Sequence, residues 1–165
     1  MLKLTVAALM GSITIVGAAQ AVDAARPSAP ELRAVLAITP EAMGQAASVA
    51  KAVDGHYWAE ADVNGTQVRF LVDTGASTVA LTLADAKRLG LQTDKLDYDR
   101  SVVTASGQAR AAAVTLGEIS IAGARMTDVE ALVIENGLES SLLGMSYLGR
   151  LASFEATRTA LILRP

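Results

Sequence analysis

The chain contains no cysteine and a single histidine, His56. Without cysteine there are no disulfides, no thiolate nucleophile and no Cys-bound metal. One histidine excludes a multi-His metal site, and no motif supplies the serine partner that a His-based triad needs. Aromatic residues are scarce at 4%, and alanine supplies much of the 52% hydrophobic share, so the core is expected to be light in large side chains. Basic residues are also in deficit, 14 Lys+Arg against 17 Asp+Glu, for a formal charge of −3 with no basic block. That pattern argues against a nucleic-acid partner. Catalysis, if present, must rest on carboxylates, hydroxyls, lysines or backbone groups. At 165 residues the length suits one core.

Three regions differ in texture. In residues 1–22 the first charged side chain is Lys3, and the stretch from Leu4 to Val22 carries no charge. A positive start, an apolar run and Ala19-Gln20-Ala21 fit a secretory signal with an A-x-A cleavage site. The same run is long enough for a single membrane anchor, and a buried core helix is the bland alternative. Residues 23–54, punctuated by Pro27, Pro30 and Pro40, read as an Ala/Pro-rich linker in which Glu31–Ile38 and Glu41–Ala52 form weak helices at best. Residues 55–165 read as a domain of short strands split by Gly turns. Asn64-Gly65 is a strong two-residue hairpin signal, and Ser106-Gly107 and Ala122-Gly123 mark further turns. Thr82 with Asp85 three positions on predicts a capped short helix that Gly90 closes. A second short helix is expected over Met145–Leu151 and a closing strand over Thr159–Leu163. Short strands at about ten-residue spacing with two short helices predict a mostly β fold, a small barrel or sandwich.

Phe70-Leu71-Val72-Asp73-Thr74-Gly75-Ala76-Ser77-Thr78 carries the chemistry. A carboxylate directly follows a buried apolar strand, where ionisation is costly. Gly75 allows a tight turn and a close approach, while Thr74 and Ser77 supply hydroxyls. Asp-Thr-Gly alone is also a respectable β-turn. A plain turn, however, gives no reason for a carboxylate at the end of a buried strand.

This segment resembles the active-site loop of retropepsin-like aspartic proteases (clan AA). Leu142-Leu143-Gly144 before a short helix is similar to the second signature of that family. The hairpin at Ser106-Gly107 falls between the two, where the family has its flap. The order of these features covers roughly Gly55–Pro165. The apolar N-terminal segment and linker resemble a bacterial branch of the family that carries a predicted membrane segment ahead of the protease domain. The resemblance implies a small closed β-barrel with one lobe per chain and an aspartic endopeptidase acting on a polypeptide substrate. A homodimer would bring two copies of Asp73 together, because this proteolysis needs two carboxylates around one water and the chain has one Asp-Thr-Gly. It also implies an acid-leaning activity, with no metal and no organic cofactor.

Residue by residue, Asp73 would be catalytic, and Thr74 would hydrogen-bond across the dimer axis. Gly75 would present backbone to substrate, and Ala76 and Ser77 would line subsites. Ala105, Ser106 and Gly107 would form the flap, and Leu143 and Gly144 would pack under the loop. Viral members often have an Asp–Arg ion pair where this chain has Ser77 and Met145, so that dimer contact is replaced here. The expected location is the bacterial cell envelope, either anchored on the periplasmic side of the inner membrane or secreted to the periplasm. The alternative is a non-catalytic peptide-binding module on the same fold, since fold alone does not establish function.

The remaining candidates are weaker. His56 reads as a strand residue at the domain edge, and Tyr57 and Trp58 as packing or dimer-contact residues. Asp94, Asp97 and Asp99 lack the Gly and terminal Glu of a calcium loop and read as solvated. Glu135–Ser141 reads as a polar loop.

Overall fold

The computed structural model describes residues 46–165. The apolar N-terminal segment and most of the linker lie outside them. Among the described residues no helix is long and apolar enough to cross a membrane.

The described residues form ten strands and two short helices. Strand β1 (Ala47–Ala50) is followed by the hairpin of β2 (Trp58–Val63) and β3 (Thr66–Val72). Then come β4 (Val79–Leu81), α1 (Leu83–Arg88) and β5 (Arg100–Thr104). A long hairpin joins β6 (Gly107–Ile121) to β7 (Ala124–Ile134). The chain closes with β8 (Ser141–Leu143), α2 (Met145–Leu148), β9 (Ser153–Ala156) and β10 (Ala160–Arg164).

Local chemistry explains most of these boundaries. Asn64 and Gly65 both take positive φ, +50° and +85°, as a two-residue turn between right-twisted strands requires. Ala122 and Gly123 do the same between β6 and β7. The Thr82 hydroxyl accepts the Asp85 N–H and caps α1, while Lys87 and Arg88 occupy its last turn, where positive charge suits the helix dipole.

The strand order β2-β3-β8-β4-β7-β6-β5, with β2 also paired to β6, closes a six-stranded barrel and leaves β5 outside it. Alternation directs Ala59, Ala61 and Val63 of β2 and Val68 and Phe70 of β3 inward, all of them buried. Small residues are frequent in the core, including Ala86, Ala124 and Ala131, as the composition implies. The largest fully buried side chain is Tyr147, whose hydroxyl donates to the Ala124 carbonyl at 2.8 Å. A smaller apolar cluster lies apart from the barrel core, built on Ala80, Ala109, Ala111 and Ile134, with Val102, Leu132, Leu138 and Leu142 against it.

Two expectations need correction. Residues 47–50 are neither linker nor the end of a weak helix over Glu41–Ala52. They form β1, paired antiparallel with β10 from Ala47↔Leu163 to Ala50↔Ala160, so the domain begins before Gly55. The alternation Ala47-Ser48-Val49-Ala50 buries Ala47 and Val49 against the barrel core, and a pairing partner more than a hundred residues away overrides a local helix preference. Second, β6 runs unbroken to Ile121 instead of dividing into two strand regions. The β6–β7 register is the same on both sides of Gly117, Leu116↔Val129 and Glu118↔Thr127, and the irregularity is confined to Gly117 and the facing Asp128, which takes φ +52°.

Burial pushes the Tyr147 phenol up to about 12. Unfolded tyrosine ionises near 10, so the folded state has the higher value. The associated stability is therefore complete below about pH 10 and is lost as pH rises from about 10 to 12. Tyr147→Phe leaves the Ala124 carbonyl unpaired and should cost about 1–2 kcal/mol at neutral pH. It should also remove about 2–3 kcal/mol of the alkaline loss. Urea midpoints measured from pH 7 to 12 for both proteins check this.

Candidate active site

Asp73 follows the last residue of β3. Strand β8 lies parallel to β3 (Leu71↔Leu142, Val72↔Leu143) and on its other side contacts β4 at Ala80↔Leu142. The consecutive strands β3 and β4 are thus separated by a strand from near the C-terminus. The loop of residues 73–78 must pass over the end of β8. Two backbone hydrogen bonds fix it there: Asp73 N–H to the Leu143 carbonyl at 3.1 Å and Met145 N–H to the Ala76 carbonyl at 2.9 Å. The Ser146 hydroxyl accepts the Val79 N–H and donates to the Glu130 carbonyl, extending the clamp.

Gly144 is where the crossing is tightest. A Cβ there would run into the Thr78 carbonyl and come within 2.7 Å of the Ala76 carbonyl oxygen. Leu143 beside it is fully buried. Leu143 and Gly144 lie directly against the loop of residues 73–78.

The Asp73 side chain is half-buried, and its Oδ1 accepts the Gly75 N–H at 2.8 Å. That bond orients the carboxyl and leaves Oδ2 without a donor among the described residues. A Cβ on Gly75 would sit 3.1 Å from Asp73 Oδ1, so glycine keeps the contact unobstructed. Thr74 is exposed at the outer side of the loop.

Asp73 lines a cleft of about 820 Å³. Gly75, Ala76 and Ser77 line it from the same loop, and Ala105 and Ser106 from the β5–β6 turn. The apolar share comes from Leu71, Ala80, Val102, Leu132, Ile134, Leu138 and Leu142. Thr74 and Gly107 are not among the lining residues. Gly107 starts β6 at φ +112° and accepts the Thr104 hydroxyl on its carbonyl at 3.0 Å, which shapes the turn.

The flap-like hairpin is held at two levels. Arg110 on β6 makes a two-pronged contact with Glu135 (2.6 and 2.8 Å), and the Glu135 N–H donates to the Arg110 carbonyl. Nearer the tip, Gly137 packs so closely that a Cβ would lie 3.4 Å from Ser106 Cβ and 3.5 Å from the Thr104 hydroxyl. Glu135–Ser141, expected as a plain polar loop, thus forms a wall of the cleft through Gly137, Leu138, Glu139 and Ser140.

Sequence reasoning also missed Asp54, His56 and Trp58, which line the cleft as well. The signal was there in part, since Tyr57-Trp58 opens a hairpin whose second strand ends one residue before Asp73. Among the described residues no three His, Asp or Glu side chains converge to hold a metal.

A closed six-stranded barrel, a C-terminal strand threaded between β3 and β4, and an Asp-Thr-Gly loop beneath a hairpin define a retropepsin-like fold. Residues 59–150 match the family model described as "gag-polyprotein putative aspartyl protease", and the chain belongs to that family. The crystal structure of a retropepsin-like aspartic protease from Rickettsia conorii is similar over 72% of this chain and 98% of its own, at 39% identity and a TM-score of 0.66. The EIAV protease bound to the inhibitor HBY-793 shares the fold at 21% identity, with a TM-score of 0.52 over 64% of this chain and 96% of that one. Among curated proteins, "Uncharacterized protein RP867" of Rickettsia prowazekii is 41% identical over 115 residues, 70% of this chain and 49% of the relative. A protein of Sinorhizobium sp, "Uncharacterized protein in cobV 5'region", is 43% identical over 69% of this chain and 49% of its own length. The chain therefore spans about half the length of these curated relatives.

Gly144→Ala should cost about 3 kcal/mol or more, because the clash is with backbone that cannot rotate away. Gly75→Ala meets only a side-chain oxygen and should cost about 1 kcal/mol. Thermal and urea unfolding of the two variants check the contrast, and equal losses would contradict the crossing geometry.

Proposed function

We propose that this chain is an aspartic endopeptidase whose active site is completed by a second copy of itself. The observation that carries the reading is Asp73, at the end of a barrel strand and in a peptide-sized cleft, with one carboxyl oxygen oriented by Gly75 and the other without a donor. One carboxyl supplies half of the required chemistry. Two copies of Asp73 facing across a two-fold axis would share a single proton, because like charges so close cannot both ionise. The ionised carboxylate takes a proton from water as the oxygen attacks the peptide carbonyl carbon. The protonated partner gives its proton to the carbonyl oxygen. The tetrahedral intermediate then collapses: the C–N bond breaks as the leaving nitrogen takes the proton the first carboxyl gained from water, and a hydroxyl of the intermediate returns a proton to the second carboxyl as the carbonyl re-forms.

Several features support the dimer. Thr74 is exposed beside Asp73, placed to meet its counterpart. The β1-β10-β9 sheet has β1 and β9 at its edges, and unpaired strand edges favour pairing with another chain. Ala76, Ser77, Ala105 and Ser106 would contact a peptide that adds to the hairpin as an extra strand. We further propose that residues 4–22 direct the chain to the periplasmic side of the bacterial inner membrane, as an anchor or an export signal. An anchor would aid pairing by raising local concentration.

Asp73→Asn should lower kcat/KM on a peptide library by at least about 10³-fold while leaving the circular dichroism spectrum and the sedimenting species unchanged. A protein that dimerises yet cleaves nothing between pH 3 and 8 would favour the peptide-binding alternative. Cleavage that persists in Asp73→Asn would overturn the proposal.

A further inference from the structure

Asp54 lies in the turn between β1 and β2 and lines the same cleft as Asp73. That turn is fixed in place. Ala52 N–H donates to the His56 carbonyl at 2.8 Å and Gly55 N–H to the Ala52 carbonyl at 3.0 Å, with Gly55 at φ +84°. The Tyr57 carbonyl accepts the Val72 N–H at 3.0 Å, which ties the turn to the residue preceding Asp73.

The carboxylate itself is also held. Oδ1 accepts the His56 N–H at 2.9 Å and Oδ2 accepts the Trp58 indole N–H at 2.9 Å. These two donors keep the Asp54 carboxyl below its ordinary range, so it stays charged in mildly acidic solution. An ionised carboxylate has about four lone-pair sites, and two protein donors leave capacity for more. Its side chain is 47% exposed, so that capacity is reachable.

No lysine or arginine lines the cleft. His56 is the one basic group beside Asp54, its Nδ1 3.5 Å from Oδ1. Arg69 is engaged elsewhere, 4.5 Å over the Trp58 ring and 3.5 Å from Glu60. The cleft thus offers an oriented anionic acceptor with no fixed cation opposite it.

We propose that Asp54 is a specificity-determining residue, which selects peptides carrying a lysine or arginine side chain at the subsite it lines. The proposal rests on the endopeptidase reading above. An ammonium or guanidinium would donate to the free lone pairs of Asp54 while its alkyl stem lies along the cleft wall.

The test uses the full chain and peptide pairs identical except for lysine or methionine, with that position moved along both sides of the scissile bond. Wild type should favour lysine at one position by about tenfold in kcat/KM, as expected of a charge-assisted contact. Asp54→Asn should bring that ratio to about one, and Asp54→Glu should restore part of it. In wild type the ratio should also shrink as ionic strength rises, a reading that needs no variant. The ratio isolates selection from any general loss of activity that a disturbed turn would cause. A wild type indifferent to lysine at every position, or a preference that survives in Asp54→Asn, overturns the role of Asp54 and leaves the endopeptidase reading standing. A wild type that cleaves no peptide overturns both.

Discussion

The absence of any side chain at position 144 lets two backbone segments touch, and the placement of Asp73 follows from that contact. Strand β8 arrives from near the C-terminus and inserts between β3 and β4. The loop joining those two strands must then cross β8 at backbone distance. At that distance the Leu143 carbonyl reaches the Asp73 N–H and the Met145 N–H reaches the Ala76 carbonyl. The carboxyl is therefore positioned by the closure of the whole barrel, with Gly75 setting only its final rotation. A site built this way is rigid before substrate arrives, as preorganised catalysis requires.

The legible parts of the sequence were those whose signal is local. Asn64-Gly65, the Thr82–Asp85 cap and the Asp73–Gly75 loop each carry their reason within four residues. The family resemblance placed the flap and the support at Leu143 and Gly144, since it encodes long-range order that periodicity does not. Strand β1 was illegible because its evidence lies in β10: Ala47-Ser48-Val49-Ala50 has weak β preference alone and becomes a strand only by pairing with residues 160–163. The walls of the cleft were missed for a related reason. Residues 137–140 look like a solvated loop until the flap turn packs on Gly137. Asp54 looks like a turn residue, which it also is, until the β2–β3 pairing brings its turn beside the catalytic loop.

The barrel closes within one chain, while the proposed reaction would need a second carboxyl. Most of the large apolar side chains pack in the barrel core and in the smaller cluster beside the cleft, while Val53 and Val103 are exposed. Among the described residues no buried side-chain polar atom lacks a partner. The chemistry is what lacks a partner. A lone carboxylate can take a proton from water, but it cannot at the same time give one to the carbonyl oxygen. In the proposed dimer, symmetry would supply the second group without new sequence, and the two carboxyls would titrate as a pair. With Ser77 and Met145 at the positions where the family resemblance would put an Asp–Arg pair, the proposed dimer would have to be held by other contacts.

On the proposed reading, the hairpin over the cleft would have to move for a peptide to enter, and its stem would have to hold in acid. The Arg110–Glu135 contact meets that demand. Arg110 donates two hydrogen bonds to Glu135 and holds its carboxyl below the ordinary range, which in turn raises the Arg110 guanidinium. With the folded value depressed, the contact stabilises the fold above the unfolded carboxyl value and is lost only as pH falls through the lower, folded one. The stem thus stays paired over part of the range in which unpaired glutamates have already taken up a proton. The turn at Ala105-Ser106 has no such ion pair, only the packing of Gly137 and the hydrogen bonds of the Thr104 hydroxyl. Those contacts are individually small, so opening at the tip should cost less than opening at the stem, at the end of the hairpin that lines the cleft.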